Sequence, residues 1–252
     1  MIDLHCHILP GIDDGAVDWD EAVAICQRAA ADGCTAMVAT PHLRHRRWWN
    51  DDRKHLEGLL EELQHRVGDT LDLHLGGEVA LSMASFQEML RGPEGATAIP
   101  PLAGSKYLLV EFDWQGPNPT RPDEVVHELQ LVGWQPIIAH PERFHWLMDD
   151  LGLVHALMDA GALSQLTAGS LTGRLGHNAR VAAGDLLDMG WAHFVASDAH
   201  NLETRPPGLT AARSIVAHAW GEDVAEELFV TNPAAVVAHE SIAAAAGTAH
   251  VP

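Results

Sequence analysis

Seven short apolar runs punctuate this chain, at 2–7, 36–40, 71–75, 107–112, 136–139, 163–167 and 192–197. Between them the apolar residues recur at helical spacing. Leu56, Leu59, Leu60, Leu63 and Val67 fall at i, i+3, i+4, i+7 and i+11, and Ala22, Ile25, Cys26 and Ala29 repeat the pattern, with Asp18 or Asp20 as N-cap. Gly33, Gly133, Gly161 and Gly190 follow helical runs, where a left-handed C-cap is expected. Strict alternation of strand and helix predicts a parallel sheet with helices outside.

The polar residues at the ends of these runs decide between an open sheet and a closed one. They read Asp3-Leu4-His5-Cys6-His7, Ala39-Thr40-Pro41-His42, Gly76-Gly77-Glu78, Leu109-Val110-Glu111, Ile138-Ala139-His140 and Ala196-Ser197-Asp198-Ala199-His200. An open doubly wound sheet places its ligand at one switch point. Candidate chemistry at the C-terminal end of almost every strand needs closure to reach one centre. The expected fold is therefore an α/β barrel of (β/α)7 type, one domain over residues 1–252, with 241–252 as a frayed tail.

The side chains at those ends are metal ligands by type. His5 and His7, two apart on a strand, point the same way, and Asp198 and His200 repeat that spacing on the last strand, next to the first in a barrel. His42, Glu78, Glu111 and His140 add one each, and Asp14 lies in the loop after the first strand. Asp13 beside it reads as a solvated loop residue or helix cap. This set of N and O donors exceeds the needs of one ion and suits two or three divalent ions, manganese, iron or zinc. No thiolate stands among them, which disfavours a structural zinc site. Closely spaced ions of this kind hydrolyse phosphoesters. Arg143 and Arg205, each a few residues beyond a ligand, present planar forks that match phosphate.

Composition narrows the partners. The chain has 15 basic and 35 acidic residues, a net charge of −20, which disfavours nucleic acid. Three cysteines fit a reducing compartment and form no Cys-x5-Arg loop. No signal peptide is visible and no apolar run reaches the ~18 residues of a membrane span, so a cytoplasmic protein without membrane insertion is expected. Against the acidic background, Leu43-Arg44-His45-Arg46-Arg47-Trp48-Trp49 is basic and aromatic. Following a ligand, it is expected at the rim, with Arg44, Arg46 and Arg47 attracting an anionic substrate and Trp48 or Trp49 packing against it.

These motifs, HxH, TPH, GxE, EF, AHPER and SDAHN with RPP, resemble the PHP (polymerase and histidinol phosphatase) superfamily. Within it they resemble the manganese-dependent bacterial protein-tyrosine phosphatases of capsule and exopolysaccharide biosynthesis. The resemblance runs from Met1 to about Val237 and includes Asn232-Pro233. It implies a distorted barrel with three metal ions, most often Mn2+. His5, His7, Glu78 and Asp198 would hold the first. Glu78 would bridge to a second on Glu111 and His140, and Asp14, His42 and His200 would hold the third. It further implies attack by a metal-bridging hydroxide, phosphate held by Arg143 and Arg205, and Asp14 or His200 as general acid. The implied substrate is the phosphotyrosine tail of a tyrosine kinase in polysaccharide export. A small-molecule phosphatase such as histidinol-phosphate phosphatase, or a metal-binding regulatory barrel without catalysis, are the alternatives.

Overall fold

The computed structural model describes residues 1–113 and 119–242. Nine strands form: β1 (Ile2–Cys6), β2 (Ala36–Ala39), β3 (His42–Leu43), β4 (Asp72–Leu75), β5 (Glu78–Ala80), β6 (Tyr107–Glu111), β7 (Gln135–Ala139), β8 (Leu163–Thr167) and β9 (Phe194–Ala196). All pair in parallel, in two sheets ordered β1-β2-β4 and β3-β5-β6-β7-β8-β9. The two extra strands are continuations. Pro41 interrupts the second apolar run because it has no N–H to give a ladder. Gly76-Gly77 interrupts the third, where a Cβ on Gly77 would stand 2.1 Å from Leu43 Cδ1. His42 and Glu78 thus open new strands, where the sequence placed them at the ends of old ones.

Seven strand positions remain, and the last returns to the first. Asp198 N–H donates to His5 O at 2.9 Å and His7 N–H donates to Ala199 O at 2.8 Å. Asp3, buried beneath, accepts from Ser197 N–H at 3.0 Å and ties the same edges. Alternate residues split the core in two. Val38, Leu109, Ile137, Leu163 and Phe194 fill one cluster, while their neighbours Leu108, Val110, Ile138, Leu166 and Val195 pack with the helices in another.

The helix Trp19–Ala31 is capped by Asp18, whose carboxylate accepts from Glu21 N–H at 2.9 Å, and it buries Ala22, Ile25, Cys26 and Ala29. In Arg53–Val67, Leu56, Leu63 and Val67 are buried. Gly33, Gly133, Gly161 and Gly190 all carry positive φ after their helices. The start of the expected frayed tail is tied down: Ile242 N–H donates to Tyr107 Oη and Lys106 Nζ to Ser241 Oγ, both at 2.9 Å. Residues 243–252 of that tail lie outside the described residues. Among the described residues no helix is long and apolar enough to cross a membrane.

Candidate metal centre

The strand ends converge as the alternation requires, with two local departures. His7 lies one residue beyond β1, whose pairing shifts between Asp3 and Cys6, yet His5 Nε2 and His7 Nε2 are 3.2 Å apart. Asp198 and His200 do not share a strand face. β9 stops at Ala196, and Asp198 adopts a left-handed φ of 53° that turns its carboxylate into the centre. His42 and Glu78 are register partners on β3 and β5. Glu111 ends β6, and His140, with φ of 34°, leads β7 into the turn Pro141–Arg143.

Four groups of donors lie close enough to share an ion. They are His7, Asp14, His42 and His200; His5, His140 and Asp198; His5, His7 and Glu78; and His42, Glu78 and Glu111. All nine candidates enter. The sets differ in detail from those the resemblance implies, since His7 also reaches the Asp14 group and His42 also reaches Glu78 and Glu111. Glu78 is central: Oε1 lies 2.9 Å from His140 Nε2, and Oε2 lies 2.9 Å from His42 Nδ1. All are buried except Asp14, 43% exposed, whose Oδ1 stands 3.4 Å from both His42 Nε2 and His200 Nε2.

The residues behind the ligands orient them. Gln165 Oε1 lies 2.7 Å from His5 Nδ1, and the Gln165 amide is itself fixed by donating to Leu166 O. An amide oxygen only accepts, so Nδ1 donates to it and Nε2 is the nitrogen left facing the centre. The His200 ring is set likewise by Asp198 O, 3.0 Å from its Nδ1. Asp13 does the same for His7, at 2.8 Å, and also accepts from His42 N–H and Gly15 N–H. Its side chain is only 1% exposed, so the sequence reading of a solvated or capping residue is corrected: the tight turn folds it inward. Gly15 makes that turn possible, since a Cβ there would meet His7 O at 2.1 Å.

Burial lowers the His5 imidazole, but the carboxylates of Glu78 and Asp198 outweigh it and lift the group to about 9. His42 is lifted to about 11 against burial, by Glu78 and Asp14. Burial raises Asp198 and Glu78, yet Arg205 and His5 for the first, and His5 and His42 for the second, hold them below the usual carboxylate range. Burial with the Arg143 charge lowers His140 to about 4, and burial with His7 lowers His200 to about 4. Positive charge is thus favoured beside Glu78, Asp198 and Asp14, at His5 and His42, and disfavoured at His140 and His200. Asp198 Oδ1 is buried without a hydrogen-bond partner, 3.5 Å from His5 Nε2 and 3.6 Å from His7 Nε2. An orphaned acceptor facing imidazole nitrogens fits a divalent cation.

Two arginines close the rim. Arg143 Nη1 donates to Asp198 Oδ2 at 2.7 Å, Arg205 Nη2 donates to the same oxygen, and Arg205 Nη1 lies 2.8 Å from His200 Nε2. Glu142, also missed in the sequence, is buried and accepts from Thr167 N–H at 2.9 Å and Ser170 Oγ at 2.7 Å, bracing the turn that carries Arg143. The site opens into a cavity of about 270 Å3 bounded by Arg46, Arg47 and Trp48. Trp48 stacks on His42, ring centroids 5.2 Å apart and planes within 7°. His45 lines the cavity too, but Arg44 and Trp49 turn away. Arg44, with φ of 53°, folds back over the Trp49 ring, and Trp49, 49% exposed, donates to Asp51, so neither lines this cavity.

The geometry has counterparts among known proteins. The family described as capsular polysaccharide synthesis, CpsB/CapC, matches residues 1–238. CapC of Staphylococcus aureus is 37% identical over 211 residues, 82% of this chain and 79% of its own. Tyrosine-protein phosphatase YwqE of Bacillus subtilis is 33% identical over 207 residues, 81% of this chain and 79% of its own. A solved structure from the study of YwqE and of CpsB from Streptococcus pneumoniae, described as metal-dependent tyrosine phosphatases, superposes with a TM-score of 0.87 at 30% identity, covering 96% of each chain. This chain belongs to the CpsB/CapC capsular polysaccharide synthesis family.

Proposed function

We propose that this chain is a metal-dependent tyrosine-protein phosphatase, a phosphomonoester hydrolase acting on phosphotyrosine in a protein. Its ions are divalent, three in number with manganese foremost, and its substrate is the phosphorylated tail of a tyrosine kinase of polysaccharide export. One observation carries the reading: Arg143 and Arg205 meet on Asp198 Oδ2, at the rim of a buried cluster of imidazoles and carboxylates.

His5, His7, Asp14, His42, Glu78, Glu111, His140, Asp198 and His200 hold the cations. When bound, these supply charge stabilisation at the phosphoryl group and acidify water to a pKa of about 7. Each guanidinium has five N–H donors, so Arg143 and Arg205 retain donors for the phosphoryl oxygens and orient them over the cluster. Trp48 offers its ring plane to the substrate phenyl group, and Arg46 and Arg47 attract an acidic peptide. No cysteine serves as nucleophile. All three are buried, and burial pushes Cys26 up to about 12 and holds Cys6 and Cys34 high as well, whereas a nucleophile needs the thiolate.

The test loads purified protein with individual divalent metals and compares a phosphotyrosine peptide with histidinol phosphate. Expected are turnover of the peptide, loss of it in EDTA and indifference to iodoacetamide. Metal-loaded protein that prefers histidinol phosphate, or turns over neither, overturns the reading.

A further inference from the structure

A second cavity, also about 270 Å3, lies on the other side of Arg205. Arg28, from the helix Trp19–Ala31, and Arg174, from the turn after Ala168–Leu171, line it together with Arg205. Most arginines here are matched by a carboxylate, as Arg53 is by Glu57 and Arg213 by Glu222 and Glu226. Arg28 and Arg174 are exposed and make no ion pair among the described residues. In a chain of net charge −20, two unmatched cations from distant elements on one cavity call for an anion.

Thr167 points the same way independently. It lines the cavity, its side chain is buried, and its Oγ1 has no hydrogen-bond partner. A buried hydroxyl with nothing to bind is costly unless a ligand satisfies it. Two carboxylates also reach the wall, each already accepting hydrogen bonds. Asp32 accepts from Leu209 N–H at 2.6 Å and Thr210 N–H at 2.9 Å, and Asp198 is held by Arg143 and Arg205.

We propose that this cavity is a second anion site, which takes a phosphoryl group beside the catalytic one and shares Arg205 with it. Donors arriving from Arg28, Arg174 and Thr167 suit a tetrahedral oxyanion better than a planar carboxylate. The phosphoryl group is either inorganic phosphate or a second phosphotyrosine of the same substrate; reading it as released product or as substrate rests on the function proposed above, whereas the anion site itself does not.

The experiment titrates inorganic phosphate calorimetrically into the metal-loaded full chain and its R28A/R174A variant, with R174E as a second variant. Expected are two phosphates bound by the unaltered chain and one by each variant, with kcat for a small aryl phosphate within about twofold throughout. Equal stoichiometry in all three proteins overturns the site. Peptides then separate the sources. A KM raised at least fivefold for a doubly phosphorylated peptide, but not for a singly phosphorylated one, identifies the substrate. Unchanged peptide KM values with phosphate inhibition turning from mixed to competitive identify the product. No turnover of any phosphotyrosine with two phosphates still bound removes the phosphatase reading and leaves the anion site standing.

Discussion

Gln165 and His5 are separated by 160 residues, yet the Gln165 amide oxygen lies 2.7 Å from His5 Nδ1 in a fully buried contact. The contact decides which nitrogen of His5 faces the metal cluster. Replacing Gln165 by Ala removes the acceptor and frees the ring to rotate or to exchange its proton. Loss of such a partner costs about 10- to 100-fold in metal affinity or activity. Competition with a chromophoric chelator reads the affinity, and circular dichroism checks that the barrel persists. Unchanged metal affinity in a folded Q165A chain would show that packing alone sets the ring.

Asp13 makes a comparable claim with a sharper control. Its carboxylate touches the His7 ring, the His42 N–H and the Gly15 N–H together. Asp13→Ala should weaken metal binding by about 10- to 100-fold, whereas Asp13→Asn, whose amide oxygen still accepts from His7 Nδ1–H, should lose much less. Wild-type metal content in D13A would return Asp13 to the role of an ordinary loop acid.

The contrast between Asp13 and Asp14 marks how far the sequence can be read. Both sit in one polar loop, and nothing in their spacing says which folds inward; the turn at Gly15 decides it. His42, Glu78, Glu111 and His140 were legible because each interrupts or ends an apolar run, where an uncompensated charge is costly. Gln165 was not, because a polar residue inside a strand carries no mark of a partner on another strand. Pro41 was visible, and its missing N–H foretells the break that sets His42 on a strand of its own. The left-handed turn at Asp198 left no trace, since aspartate adopts that conformation without needing glycine.

Trp48 and Trp49 are adjacent in sequence and differ in role. Trp48 lines the catalytic cavity and lies flat on His42, while Trp49 faces outward and donates to Asp51. Trp48→Ala should raise KM for a phosphotyrosine peptide severalfold, with a smaller effect on a small alkyl phosphate, which has no ring to stack. Stacking on an aromatic ring is worth about 0.5–1.5 kcal/mol, so about two- to tenfold is expected. Trp49→Ala should leave both substrates unchanged. Equal losses for both substrates in W48A would mean that the ring merely steadies His42.

His193 gives the barrel a pH-dependent stability separate from the metal centre. It is buried at the entry to β9, where its Nδ1 accepts from Ser164 N–H at 3.1 Å and its carbonyl accepts from Asn232 Nδ2 at 2.9 Å. Burial lowers its imidazole to about 4, while the unfolded chain has a histidine pKa of about 6.5. The folded form is therefore the weaker proton binder. Its stability is complete above pH 6.5, and as pH falls from there towards 4 the unfolded chain takes up a proton that the folded chain refuses. At about 1.36 kcal/mol per pKa unit the full effect approaches about 3 kcal/mol. Denaturant midpoints of the wild type and His193→Gln, compared between pH 7 and 4.5 at fixed metal concentration, isolate it, because contributions from the ligand histidines cancel in the difference. The wild type should lose more stability than the variant across that window, and parallel profiles would show that His193 is protonated as readily in the folded chain as in the unfolded one.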